Sequence, residues 1–148
     1  MITETISSTE EIQIEAVIDE WLAAQRAKDV DHLMSLYAGD ITAFNVRPPY
    51  QTKGADAWRA VWEDGFSHFP AAFDIEIADL KISASRDVAF ANFLFHFADL
   101  EPGHPANQTW LRATVGYTKR DGRWLIRHEH FSVPFSPHAS EPDLILEP

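Results

Sequence analysis

One stretch carries most of the structural information in this sequence, and it reads Trp110-Leu-Arg112-Ala-Thr114-Val-Gly116-Tyr-Thr-Lys-Arg-Asp121-Gly122-Arg-Trp124-Leu-Ile126-Arg-His128-Glu-His130-Phe-Ser132. An Asp-Gly pair between two β-prone runs is a strong hairpin signal, so two antiparallel strands are predicted to meet at Asp121-Gly122. Because side chains alternate between the faces of a strand, one face should gather indoles with hydrogen-bonding groups, which is typical of a lined pocket. The residues expected on that face are Trp110, Arg112, Thr114, Trp124, Ile126, His128, His130 and Ser132.

Outward from this hairpin, the chain predicts an α+β fold. Ser8 begins a capping box, and the apolar periodicity that follows predicts a helix that ends near Ala27. Asp29 should cap a short second helix that stops at Gly39, and residues 54–69 should form a third. Strands are predicted at 41–46, 73–83, 88–100, 108–120 and 123–135. The order is α-α-β-α-β-β-β-β, with the helices on one face of a curved antiparallel sheet.

The run 88–100 is apolar on both faces, because Phe93, Phe95 and Phe97 alternate with Phe90 and Leu94. One face is expected to meet the helices, and a second copy of the chain is the expected cover for the other. The sequence therefore predicts a homodimer that packs through the outer sheet face.

Length and composition set further limits. The 148 residues, 45% of them hydrophobic, are enough for one domain. We place that domain at 1–135, followed by an acidic, proline-containing tail at 136–148. The cluster Leu144-Ile-Leu146 in the tail either frays or docks across a subunit boundary.

The net charge of −11 argues against nucleic acid and anionic membrane surfaces as partners. The lack of cysteine excludes thiolate chemistry, and no signal peptide or membrane span is evident. A cytoplasmic location is expected.

Two groups of motifs resemble the nuclear-transport-factor-2-like superfamily. One is Arg112-Ala-Thr114 with Asp121-Gly-Arg-Trp124 and His128-Glu-His130-Phe-Ser132, and the other is Ser35-Leu-Tyr37-Ala-Gly-Asp40-Ile-Thr with a later Gly54. The first group is similar to the SnoaL-like subgroup, which is related to the association domain of calmodulin-dependent kinase II. The resemblance implies a cone-shaped fold with a pocket between the concave sheet face and the helices.

The superfamily also contains ketosteroid isomerases, whose chemistry needs a carboxylate base, a tyrosine and a protonated aspartic acid. The resemblance places Asn45, Trp21 and Thr114 at those three positions. An amide cannot accept and return a proton near neutral pH. We therefore predict no ketosteroid isomerase activity by that mechanism.

Arg112 is the first candidate for ligand binding, because a cation inside a sheet strand is costly unless it is paired. It either anchors an anionic or carbonyl group, or it forms a salt bridge with an internal acid such as Asp40 or Glu63. Asp40 itself is either a base at the pocket entrance or a surface cap.

His128 and His130 point the same way if the strand is regular, and three interpretations stay open. They are acid–base catalysis, two ligands of a metal with His96 or Asp40 as the third, and a structural pair beside Ser132. His96, in an apolar run, is more simply a buried histidine with satisfied hydrogen bonds. The expected apolar walls of the pocket are Trp110, Tyr37, Phe44, Trp62 and Trp21.

The leading hypothesis is a pocket that binds a small, partly apolar organic ligand with an anionic or carbonyl end and no cofactor. Arg112 would hold that end, with Thr114, Asn45 and His96 as further contacts. If there is catalysis, His128, His130 or Asp40 would serve as the base in a cofactor-free isomerisation or cyclisation. The alternatives are a non-catalytic association module and, less favoured, a metal-dependent enzyme.

Overall fold

The computed structural model describes residues 8–135, so the tail with its Leu144-Ile-Leu146 cluster lies outside the described residues. Within that range, three α-helices pack against one face of a six-stranded sheet. The helices are α1 (Thr9–Arg26), α2 (Val30–Ser35) and α3 (Ala55–Ser67). The strands are β1 (Tyr37–Phe44), β2 (Thr52–Lys53), β3 (Asp74–Ala84), β4 (Val88–Ala98), β5 (Leu111–Arg120) and β6 (Arg123–Ser132). None of these helices combines the length and apolar character that a membrane span requires.

The helix starts follow the capping residues in the sequence. The Ser8 hydroxyl accepts a hydrogen bond from the Glu11 N–H at 3.1 Å, and the Asp29 carboxylate accepts one from the His32 N–H at 3.0 Å. These bonds satisfy backbone donors that have no partner within a helix. The prediction that Gly39 ends α2 was wrong, because α2 ends at Ser35 and Gly39 lies inside β1.

The sheet order is β2-β1-β6-β5-β4-β3. The meander β3 to β6 is antiparallel as predicted, and the turn between β5 and β6 lies at Asp121-Gly122. The predicted α+β fold with three helices on one face of a curved sheet is confirmed, although the sheet as a whole is mixed rather than antiparallel throughout. β1 lies beside β6 and runs parallel to it, a pairing between segments too distant in sequence for local patterns to reveal.

The two faces of β4 divide as the sequence predicted. Phe93 and Phe95 are buried beneath the helices, whereas Phe90 is 52% exposed on the opposite face. We call these the inner and outer faces of the sheet. The helices cover the inner face, and in the described part of the chain no element packs over Phe90.

A β-bulge in β6 changes which side chains reach the inner face. Tyr117 pairs with Ile126 but Gly116 pairs with His128, so Arg127 is an extra residue without a partner on β5. An extra residue reverses the alternation beyond it. Before the bulge, Trp124 and Ile126 are buried; after it, Glu129 and Phe131 are buried.

The prediction that one face gathers both the indole of Trp124 and the two imidazoles was therefore wrong. His128, His130 and Ser132 lie on the outer face, together with Arg112 and Thr114 of β5. The prediction requires a strictly regular strand, and the bulge at Arg127 breaks that regularity.

We expect Ile126→Ala and Phe131→Ala each to lower the free energy of unfolding by about 2–5 kcal/mol, since both side chains are buried. A regular strand cannot bury both, because the two positions differ by an odd number of residues. His130→Ala, on the exposed face, should cost less than about 1 kcal/mol. Urea unfolding of the three variants measures these differences. A small effect at either Ile126 or Phe131 would contradict the bulge.

Candidate functional site

A cavity of about 580 Å³ lies between α3 and the inner face of the sheet. Its volume is within the range typical of small-molecule sites. Its walls are formed mainly by seven aromatic side chains: Trp58, Trp62, Phe66, Phe69, Phe95, Phe97 and Phe131. Many of these rings meet edge to face, as in the pair Phe95 and Phe131 with centroids 5.2 Å apart.

The spacing of residues along α3 explains how the helix lines this cavity. Trp58, Trp62, Gly65 and Phe66 recur at intervals of three or four residues, so they share one helical face. A Cβ atom added at Gly65 would meet no atom within 4 Å, which shows that the glycine contributes open space. On the sheet side, Phe95 and Phe97 project from alternate positions of β4.

The part of the lining that is partly or fully exposed to solvent, which we call the opening of the cavity, includes three polar residues. Asn45 and Arg47 come from the segment after β1, and His68 comes from the end of α3. The Arg47 guanidinium is 69% exposed, with Nη2 4.0 Å from a carboxylate oxygen of Asp64. Asn45 accepts a hydrogen bond from the Val46 N–H through Oδ1, so its amide NH₂ remains available as a donor.

Two further polar residues of the lining have structural bonds. The His104 imidazole accepts from the Ala106 N–H at Nδ1 and donates from Nε2 to the His68 carbonyl, so both ring nitrogens are engaged. Thr109 donates its hydroxyl proton to the Trp110 carbonyl. His104 therefore holds the segment after β4 against the end of α3 and contributes mainly its ring to the wall.

Behind the aromatic wall lies a buried carboxyl group, Glu129. Its Oε2 accepts hydrogen bonds from the Tyr37 hydroxyl at 2.7 Å and from the Trp58 indole N–H at 3.2 Å. The Tyr37 oxygen accepts in turn from the Trp21 indole N–H at 3.1 Å. The other carboxyl oxygen, Oε1, has no hydrogen-bond partner among the described residues.

Burial sets the ionisation of this network. Removal from water raises the pKa of Glu129 to about 8, although the hydrogen bonds from Tyr37 and Trp58 act in the opposite direction. Burial, followed by the nearby Glu129 charge, also raises the pKa of Tyr37 well above its ordinary value. Glu129 does not line the cavity, so its position does not give it direct contact with a ligand there.

Of the predicted site residues, the structure brings Asn45 and Trp62 into the cavity lining. Trp21 and Tyr37 lie behind the wall in the Glu129 network. The predicted polar patch is on the other side of the sheet. There, Arg112 donates from Nε to the Ser132 hydroxyl at 3.1 Å, and neither Asp40 nor Glu63 pairs with it.

The two histidines of the outer face also have local partners. His128 donates from Nδ1 to the Thr42 carbonyl at 2.5 Å. Phe44 meets the rings of His128 and His130 edge to face, with centroids 4.8 and 5.4 Å away. The bulge thus places both imidazoles on the outer face with Thr114 and Phe44, away from the cavity. The sequence pattern predicts a pocket on that face, and the structure has its cavity on the other.

Asp40 lies on the surface near the β5–β6 turn. It accepts two hydrogen bonds from the Arg120 guanidinium, at 2.7 and 3.1 Å, and Arg127 lies 3.2 Å away. The Arg120 hydrogen bonds hold the pKa of Asp40 below its usual range. These contacts resemble the surface role that the sequence left open for Asp40, and the residue does not line the cavity.

His96 and Trp110 form a stacked pair at one end of the sheet, with ring centroids 5.2 Å apart. His96 also bonds from Nε2 to the Asn107 carbonyl at 3.0 Å. In residues 8–135, no three histidine, aspartate or glutamate side chains come close enough to hold a metal ion. His128 and His130 therefore lack the third ligand that the metal hypothesis required.

Sequence reasoning missed Arg47, His68 and Glu129. Arg47 lies in a loop with two prolines and His68 at a helix end, positions that give no periodic signal. For Glu129 a signal was present: Gly116, opposite His128, lies within a β-prone run, and such a glycine often marks a bulge.

The SnoaL-like domain is the family whose sequence pattern matches, over residues 14–136. The chain belongs to the SnoaL-like domain family, within the nuclear-transport-factor-2-like superfamily that its motifs resemble. No curated protein matches the chain.

Solved structures share the fold. An NTF2-like protein of unknown function from Pseudomonas putida KT2440 is 33% identical, with a TM-score of 0.84 over 93% of this chain and 96% of that chain. A provisionally assigned calcium/calmodulin dependent protein kinase II association domain from Xanthomonas campestris is 21% identical, with a TM-score of 0.72 over 93% and 97%. A provisionally assigned NTF2-like dehydratase from Streptomyces avermitilis is 16% identical, with a TM-score of 0.72 over 84% and 96%.

We expect the stability of the protein to fall as the pH rises from about 5 to about 8. The ordinary pKa of a glutamic acid is 4.5, and burial raises that of Glu129 to about 8, so the folded state holds a proton that the unfolded chain has released. Glu129→Gln removes this ionisation and keeps an oxygen that can accept from Tyr37 and Trp58.

The test is urea unfolding of both proteins between pH 5 and 8. The wild type should lose stability relative to the variant progressively across this range, because ionising the buried carboxyl group costs more in the folded state than in the unfolded chain. Parallel pH profiles of the two proteins would contradict the assignment.

Proposed function

We propose that this SnoaL-like domain binds a small, partly apolar organic molecule with an anionic or carbonyl end. The observation that supports the proposal is the 580 Å³ cavity, whose aromatic walls and polar opening match such a molecule. Arg47, His68 and the amide of Asn45 would take the polar end, in place of the Arg112 that the sequence suggested. Trp58, Trp62 and the phenylalanines would bury the rest.

Catalysis is a further step that the proposal leaves to experiment. A cofactor-free isomerase or cyclase needs a base that can reach the ligand. Among the described lining residues, His68 is the side chain suited to that role, since both nitrogens of His104 are engaged. Asn45 lies in the lining where the resemblance puts the ketosteroid isomerase base, and an amide cannot do that work.

A second candidate function, a non-catalytic association module, is favoured by the outer face. Val88 is 63% exposed and Phe90 52% exposed on β4, opposite Thr118 and Gly116 of β5, and the polar side chains of Asn92 and Thr114 follow on the same face. Contiguous exposed apolar surface rimmed by polar groups is typical of an interface. We propose that a second copy covers this face, because a two-fold interface buries the same patch on both subunits.

Ligand binding is tested by Gly65→Leu, which puts a side chain into the open space of the cavity. We expect the variant to keep or raise the melting temperature, because glycine in a helix costs about 1 kcal/mol. It should also lose the thermal shifts that ligands from a panel of steroids, aromatic polyketides and small carboxylates produce in the wild type. Ala57→Leu, at an exposed position of α3, is the control. Equal shifts in Gly65→Leu and the wild type would exclude the cavity as the site.

The assembly is tested by Phe90→Asp. We expect the wild type to be a dimer at micromolar concentration by light scattering, and the variant to be a folded monomer, because the interface would bury two copies of the new charge. Ala57→Asp, on the helical side, should remain a dimer. A monomeric wild type, or a variant that still dimerises, would contradict an interface on the outer face.

A further inference from the structure

The lining of the cavity has a charge opposite in sign to that of the protein. The chain has a net charge of −11. Among the described lining residues, however, there is no aspartate or glutamate, and Arg47 provides the one formal charge. A cation that entered this lining would meet no carboxylate there, whereas an anion could pair with Arg47.

The guanidinium of Arg47 forms only a weak, solvent-exposed ion pair. Its distance to Asp64 is 4.0 Å, and both side chains are more than 60% exposed. An exposed pair of this kind contributes at most about 1 kcal/mol. The His68 imidazole lies 3.9 Å from the same carboxylate, so Asp64, which lies just outside the cavity lining, is a weak partner shared by two basic side chains of the opening. A ligand carboxylate can replace Asp64 and accept two parallel hydrogen bonds from the arginine.

The aromatic walls of the cavity further limit the class of ligand that it can bind. Its walls are rings in edge-to-face contact, such as Trp58 and Trp62 with centroids 5.7 Å apart. A flat aromatic ligand can pack against these rings with either its edge or its face. We infer that the cavity binds aromatic carboxylates, with the ring among Trp58, Trp62 and Phe95 and the carboxylate on Arg47. This inference rests on the proposed function and adds the ligand class and the anchor.

The experiment compares three probes with one ring system and one attachment position: a naphthalene carboxylate, the neutral carboxamide, and the naphthylmethylammonium ion. Their anthracene homologues extend the series in size. Binding to the wild type is measured by calorimetry. We expect the carboxylate to bind at least about tenfold more tightly than the carboxamide, and the ammonium ion to bind most weakly, because a charge-assisted pair is stronger than a neutral one.

Substitutions at the cavity opening distinguish the effect of side-chain charge on probe affinity from the effect of side-chain shape. Arg47→Ala should weaken carboxylate binding about tenfold and leave carboxamide binding within about twofold. Arg47→Lys should have intermediate affinity for the carboxylate, because lysine keeps the charge but loses the planar fork. Asp64→Asn removes the competing carboxylate and should tighten carboxylate binding roughly two- to fivefold. Arg86→Ala, in the exposed turn between β3 and β4, is the matched control and should change neither affinity, whereas Arg112→Ala tests the outer face as a rival anchor.

The outcomes distinguish the inference from the proposed function. If the carboxamide or the ammonium ion binds as tightly as the carboxylate, and Arg47→Ala affects all probes alike, the anionic class is wrong while the cavity remains a binding site. If Arg112→Ala abolishes carboxylate binding and Arg47→Ala does not, the anchor is on the outer face and the inference is overturned. If none of the six probes binds but the steroid, polyketide and carboxylate panel still shifts the melting temperature of the wild type and not that of Gly65→Leu, the inference fails and the proposed function stands. If neither set of ligands binds, both fail.

Discussion

The inward position of Glu129 depends on the one extra residue in β6. The hydrogen bonds that join three other segments of the fold to β6 depend in turn on Glu129. The bulge at Arg127 turns Glu129 and Phe131 toward the helices. A carboxyl group buried there is costly unless it is hydrogen-bonded. Tyr37 of β1 and Trp58 of α3 provide those bonds, and Trp21 of α1 bonds to Tyr37. Three separate segments are therefore fixed relative to β6 by directional contacts rather than by apolar packing alone.

This network also helps to position α3, the helix that lines the cavity. The hydrogen bond from Trp58 to Glu129 fixes the rotation of α3 about its axis, because the indole can reach Oε2 from one helical face. With that rotation set, Trp62, Gly65 and Phe66 face the sheet across an open space. A buried polar network of this kind specifies one arrangement among the many that an aromatic core could adopt.

Most of the fold could be predicted from the sequence, but most of the site could not. Capping residues, helical periodicity and the Asp121-Gly122 turn are local signals, and the helices, the meander and the inner face of β4 followed from them. The parallel pairing of β1 with β6 and the bulge at Arg127 depend on contacts between distant segments, which local patterns do not contain. A shift of one residue moved His128 and His130 to the outer face and Glu129 inward. The motifs identified the family correctly, because a resemblance in sequence survives an error about which face a side chain occupies.

The concentration of tryptophan around the cavity has a practical consequence. Of the five tryptophans in the chain, Trp58 and Trp62 line the cavity, and Trp21 contacts Trp62 with centroids 6.4 Å apart. An aromatic molecule that enters the cavity would lie against two indoles and within energy-transfer distance of the third. The intrinsic fluorescence of the protein would then report occupancy without a label, as a change above the emission of Trp110 and Trp124, which do not line the cavity.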